Sequence, residues 1–138
     1  WNQFLFIGLQ HHLSLAYTYG KDLENEEPLP EIAPLDIRYK LYGSYLNNKL
    51  HPEISFRFVA GQNRISVEFG ETLSPSFFTL DASITYTFFN AVRISAAAQN
   101  IFDEVYYENL IRSVRGTLPR PLYAPGRNFF ISMTVNFM

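Results

Sequence analysis

The chain has 138 residues, a formal net charge of −2 and no cysteine, which excludes disulfides, thiolate metal sites, cysteine nucleophiles and a strongly basic nucleic-acid binder. Charged residues make up 17% and aromatics another 17%, against about 25% charged in an ordinary soluble domain, so there is too little charge to coat a surface that faces water all round. No run of about 18 apolar residues occurs, which excludes a transmembrane helix.

The segment Trp1–Gln10 is open between two readings. Leu5, Ile7 and Leu9 continue the phase of Leu13 and Leu15, which fits one long strand; a short turn ahead of the strand fits as well. From there period-two alternation predicts six strands, at Leu13–Tyr19, Ile37–Leu46, Ile54–Ala60, Leu80–Phe88, Val92–Gln99 and Phe129–Phe137. In each, one phase is apolar and uncharged, as in Leu80, Ala82, Ile84, Tyr86 and Phe88. The other is small, polar or charged, as in Asp81, Ser83, Thr85 and Thr87.

Short and long connections alternate. Asn47–Pro52 and a tight turn at Asn90 are short; Gly20–Asp36, Gly61–Thr79 and Asn100–Asn128 are long. Long loops at one end and tight turns at the other are what a transmembrane barrel shows. The last strand alternates apolar with small polar residues and closes on Phe137, one residue before the end. A chain closing on such a strand is similar to bacterial outer-membrane barrels, whose final strand serves as an assembly signal. The alternative is an exposed edge strand of a soluble sheet, which would be long, apolar and aggregation-prone.

Four segments in order resemble the C-terminal part of a TonB-dependent outer-membrane receptor. Tyr17-Thr18-Tyr19-Gly20 running into Pro28-Leu29-Pro30-Glu31-Ile32-Ala33-Pro34 is similar to a strand end followed by a "PLPxIPP" loop. Gln62-Asn63-Arg64 with Gly70-Glu71-Thr72-Leu73-Ser74-Pro75-Ser76-Phe77 is similar to "QNR…GETxTPGF", with Ser76 where glycine is usual. Asn100-Ile101-Phe102-Asp103-Glu104-Val105-Tyr106 resembles "NLFDxxY", and Pro125-Gly126-Arg127-Asn128-Phe129 resembles "PGRxF".

The resemblance implies an all-β fold: an antiparallel transmembrane β-barrel of about 22 strands plugged by an N-terminal domain. This chain, residues 1–138, would supply about the last six strands. The plug, the earlier strands and the segment that contacts TonB would lie elsewhere. This agrees with a chain that opens on Trp1, without a signal pattern, and reads as a processed product or a piece of something longer. It also implies a place in the outer membrane of a Gram-negative bacterium. The expected partners are the rest of the receptor, the TonB complex, lipid and lipopolysaccharide, and a metal or metal-chelate substrate, with no nucleic acid and no cofactor.

Candidate ligand contacts fall in the long loops, at Arg64, Glu68, Glu71, Tyr107, Glu108 and Arg112, which mix charge with aromatics. Asn100, Phe102, Asp103, Pro125, Gly126, Arg127 and Phe137 read as structural: Asn and Asp stop a ladder, and Pro-Gly sets a turn. Arg38, Lys40, Arg57, Asp81 and Arg93 should point inward, where charge is tolerated, and serve lumen solvation and packing against the plug. Tyr106 and Tyr107 are expected in an aromatic girdle. Asp22, Glu24, Glu26, Glu27 and Glu31 form an acidic loop, with Arg112, Arg115 and Arg120 its basic counterpart.

His11 and His12 are adjacent in a strand and face opposite ways, so they cannot chelate one ion together, and His51 is expected in a short turn. No phosphate loop, Gly-x-Ser-x-Gly or His-Glu-x-x-His motif occurs, so the chain does not read as an enzyme. The leading reading is import of a scarce metal ion or chelate such as a siderophore. The resemblance is nearest to receptors for metals, with cobalamin and haem remaining open. The other classes weighed are a small structural or adhesive barrel, which needs about eight strands, and a soluble β-sandwich binding module.

Overall fold

The computed structural model describes residues 2–6, 8–89, 91–110 and 121–137. These form one antiparallel sheet of seven strands in chain order: β1 (Asn2–Phe6), β2 (Leu9–Ala16), β3 (Asp36–Gly43), β4 (Leu50–Val59), β5 (Phe77–Phe88), β6 (Val92–Gln99) and β7 (Asn128–Val135). All six expected strands are present. The seventh, β1, settles the open N-terminal segment as a short piece turned back before the strand. Gly8 makes that reversal at φ +79, with its carbonyl oxygen accepting the Ser44 N–H at 2.9 Å. A Cβ there would lie 2.7 Å from the Ser44 carbonyl oxygen, so only glycine fits. The strand after it is therefore interior to the sheet, and the edges are β1 and β7.

Several boundaries move: β3 ends at Gly43 and not Leu46, β5 starts at Phe77 and not Leu80, β7 ends at Val135 and not Phe137, and two further shifts have a visible cause. Tyr17, Thr18 and Tyr19 leave the ladder, because β2 pairs with β3 only as far as Ala16↔Asp36. The first short turn is not Asn47–Pro52: β4 already begins at Leu50, and Pro52 pairs with Ile84. Pro52 is tolerated because its missing N–H would face β3 where that ladder breaks, between Tyr42↔Glu53 and the isolated Tyr45↔Leu50 bridge. Leu46, Asn47 and Asn48 reverse the chain with three successive left-handed φ values of 53°, 54° and 61°. His51 accordingly sits in β4 opposite Thr85, not in the turn, and its Nε2 lies 2.9 Å from the Asn48 carbonyl oxygen.

The register carries the two phases across the sheet. One row runs Leu41, Ile54, Ala82, Ala98, Phe129; the neighbouring row on the other face runs Lys40, Ser55, Asp81. The apolar face is uncovered: Leu15 is 64% exposed, Ile84 49% and Ile131 84%. The polar face bends into a trough of about 880 Å³ that collects residues from His12 and Ser14 on β2 round to Asn128 and Phe130 on β7. Phe130 and Tyr42 are aromatic exceptions on this face, opposite Ala97 and Glu53.

Among the described residues the only buried apolar side chains are Val59 and Phe77, each 4% exposed. A soluble domain of this size closes a far larger core, and a sandwich would lay a second sheet on the apolar face. The described residues form a single sheet, with no second sheet of theirs laid on the apolar face. The three long connections, 17–35, 60–76 and 100–127, all leave from the same end of the sheet, and the short ones from the other, where Asn90, the expected turn residue between β5 and β6, lies outside the described residues.

Candidate functional site

The loop end of the sheet carries most of the polar chemistry. Phe77 and Phe78 are neighbours in β5 and so face opposite sides. Phe78 meets Phe102 on the apolar face at 5.7 Å between ring centroids, and Phe56 at 6.0 Å. Phe77 stacks on Tyr106 over the trough at 4.1 Å and 24°. The segment Ile101–Tyr107 therefore sits astride the rim of the wall, gripping it on both sides with an aromatic ring. Tyr106 lies on the inner face, which corrects its expected place in an outer girdle. Burial there and the nearby Glu108 carboxylate push its phenol above the ordinary range, so it stays protonated at neutral pH.

Asn100 and Asp103 make the saddle. Both adopt left-handed φ (48° and 57°), which Asn and Asp tolerate better than other side chains. Asn100 is 4% exposed; its Oδ1 accepts the Glu104 N–H at 2.9 Å, while its Nδ2 donates to the Glu104 carbonyl oxygen at 2.9 Å and the Pro125 carbonyl oxygen at 3.5 Å. Its own N–H donates to Asp81 Oδ1 at 2.8 Å. Asp103 Oδ1 accepts the Arg127 N–H at 2.8 Å, and a Cβ on Gly126 would stand 2.7 Å from that oxygen. The Arg127 guanidinium reaches the Ile101 carbonyl oxygen at 3.4 Å. The two motifs, distant in sequence, are thus one clip closing the base of the last long connection. Phe137 lies beyond β7 and is 92% exposed.

Of the five inward charges, Arg38, Lys40 and Arg57 are paired with a carboxylate, and Asp81 accepts the Asn100 N–H. Arg57 donates to Asp36 through Nε (3.1 Å) and Nη2 (2.8 Å), and to Glu108 through Nη1 and Nη2, the latter at 3.1 Å. Its guanidinium carbon lies 5.5 Å from the Phe77 ring centroid. Arg38 holds the same Asp36 at 2.9 Å, and Lys40 meets Glu53 at 2.9 Å. Arg93 is exposed. Glu108, a candidate ligand contact, is engaged with the wall; nothing in the sequence marks the Asp36–Arg57–Glu108 group as a unit.

The loops also bind each other. Arg64 packs over Tyr19, 3.9 Å from its ring centroid, and donates to the Gly20 carbonyl oxygen at 3.1 Å. Glu71 accepts the N–H groups of Glu31 (2.6 Å) and Ser66 (2.8 Å), one on each oxygen. Gln62 Nε2 donates to the Ile32 carbonyl oxygen at 2.6 Å. Tyr107 donates to the Leu73 carbonyl oxygen at 3.4 Å and meets Tyr123 edge-on, while Ser74 Oγ donates to Asn109 at 3.3 Å. Glu68 stands exposed near the tip of its loop, and Arg112, Arg115 and Arg120 lie outside the described residues. In the acidic loop Asp22 caps a turn, and hydrogen bonds from the Glu24 N–H and from Asn25 hold its carboxyl below the usual range. Among the described residues, no three His, Asp or Glu side chains come together in a way that could hold a metal ion.

Glu71→Ala removes the Glu31 bond between the first two loops and the Ser66 bond that braces the second. It is expected to make residues 20–35 and 61–76 markedly more sensitive to limited proteolysis while the strands stay protected; unchanged cleavage would mean the loops hold without it.

No family model matches the chain, and no curated protein matches it. Among solved structures, the chain is similar to the copper transporter OprC, with a TM-score of 0.87 and 26% identity over 99% of this chain. The chain spans only 22% of that protein's length. Its fold is that of one stretch of that transporter.

Proposed function

We propose that this chain is the C-terminal stretch of the barrel of a TonB-dependent outer-membrane receptor that imports a scarce metal ion or its chelate. The observation that carries the reading is the agreement along nearly the whole chain with a copper transporter, at a TM-score of 0.87 and 26% identity. The two faces support it: an uncovered apolar face suits lipid, and a polar concave face suits a wet, plugged lumen. In this reading the long connections face outside the cell and the tight turns face the periplasm. The end of β7 lies on the turn side, where the Asn136 N–H donates to the Ala91 carbonyl oxygen at 2.9 Å.

The chain's part in transport is to form wall and rim. Arg57, Arg38 and Lys40, each paired to a carboxylate, offer the plug a polar wall with little net charge. Edges β1 and β7 pair with the remaining strands, because unpaired backbone is too costly in lipid. Energy comes from the TonB complex through the plug, and lipopolysaccharide surrounds the rim. Among the described candidate ligand contacts, Glu68 stands exposed on its loop and Tyr107 keeps a long bond to the Leu73 carbonyl oxygen; Arg64 and Glu71 act by holding the loops. Copper is the first substrate to test, since it is what the structural neighbour carries; a ferric siderophore is the second.

The test is energy-dependent uptake. Cells lacking the receptor that contains this chain should accumulate less copper at limiting supply, and a plasmid copy should restore it only when TonB is present. Loss of siderophore uptake instead would change the substrate and keep the class. Normal uptake of both would refute the reading.

A further inference from the structure

The saddle does more than cap a strand. Past Asp103 the chain turns back over the polar face, so that Glu104–Asn109 lies across the loop end of the trough. Its root is fixed by the Asn100–Glu104 and Asp103–Arg127 bonds. Its returning limb is tied through the Ala124 N–H, which donates to the Tyr106 carbonyl oxygen at 2.8 Å. Beneath it lie buried residues of the inner wall: Phe77 under the Tyr106 ring with Val59 opposite it, each 4% exposed, and Thr79, the next residue on the same face, 7% exposed. Farther along that face Ser83 and Thr85 are only half-buried.

We propose that Glu108 and Arg57 form a latch holding this strap over the trough, with Arg57 as the positioning residue that sets how readily the trough opens to the loop side. This rests on the receptor reading for its purpose but not for its geometry. Arg57 is suited to the task. Asp36 engages its Nε and Nη2 and fixes the guanidinium to the wall, leaving Nη1 and a share of Nη2 to grip Glu108 with two bonds. A planar fork anchored on one side and bidentate on the other is geometry that lysine cannot reproduce. The other ties at this end of the strap are weak: a 3.4 Å bond from Tyr107 and a 3.3 Å bond to Asn109. Losing the Glu108 grip should therefore free the strap while its clipped root stays in place.

The chain has no cysteine, so Thr79→Cys gives a single reporter within it under the strap. In the intact receptor on cells this thiol should react slowly with a membrane-impermeant maleimide. Adding Glu108→Ala should speed labelling about tenfold, the shift expected when one charge-assisted pair is lost; Glu108→Gln should fall between. Glu53→Gln serves as the control: it alters the Lys40 ion pair on the same face and leaves Arg57, Asp36 and Glu108 untouched, so labelling should stay slow. Half-saturation of uptake should shift in Glu108→Ala with maximal uptake retained. Slow labelling in Glu108→Ala would overturn the latch, since the stack and loop bonds would then suffice. Fast labelling in the unaltered parent would overturn the strap itself. Fast labelling in Glu108→Ala with no copper or siderophore uptake in any variant would leave the latch standing and refute the transport reading.

Discussion

Arginine in place of Ile84 is expected to cost the barrel about 2–4 kcal/mol, the penalty for this side chain on a barrel's lipid face near mid-membrane. Arginine at the adjacent Ser83 should cost close to nothing. The two positions differ by one residue and therefore by one face. Ile84 lies between Pro52 and Ala96 on the apolar face and is 49% exposed. Ser83 lies between Glu53 and Ala97 on the polar face, where a new guanidinium finds water and a carboxylate. The measurement is the unfolding midpoint of the purified receptor in lipid vesicles, together with its yield in the membrane fraction. Equal effects at both sites would mean that neither face meets lipid. A larger effect at Ser83 would invert the assignment of the faces.

Asn100→Ala should be the most damaging single truncation at the loop end, at about 2–4 kcal/mol. Two causes add. The Glu104 N–H and carbonyl oxygen lose their side-chain partners in a buried setting, at about 1 kcal/mol or more each. Alanine must then hold a left-handed φ, at about 1 kcal/mol. Asn100→Gly isolates the first cause, because glycine adopts φ 48° freely. Thermal unfolding in detergent should rank the variants with the parent most stable, then Gly, then Ala. If Gly and Ala unfolded alike, the backbone conformation would carry no cost. If neither differed from the parent, the clip would not be structural.

The two substitutions act at different depths of legibility. That Ile84 and Ser83 face opposite ways follows from period-two alternation, and the same alternation located six of the seven strands. It missed β1 because a five-residue strand beside a turn offers too few alternations to tell it from a continuation of β2. It began β4 late because Pro52 reads as a loop residue, and only the gap in the neighbouring ladder makes a proline acceptable there. It carried β2 too far because Tyr17 and Tyr19 keep the phase after their partners have run out.

Asn100, Asp103, Gly126 and Arg127 were legible as structural residues, but not as one clip. Their pairing depends on how the last connection folds back, which spacing along the chain does not encode. Arg64 and Glu71 are a plainer case. Charged residues in a long loop read as ligand contacts, yet their partners are a ring and backbone groups of other loops. The sequence by itself determined the class of fold, the two faces and the end from which the long connections leave, because those depend on short-range alternation and turn chemistry. Only the tertiary structure decided what the rim residues do. Arg57 reaches Asp36 and Glu108 across separations of 21 and 51 residues, and a bond of that kind exists only once the sheet has brought the strands side by side and the saddle has turned the loop back over them.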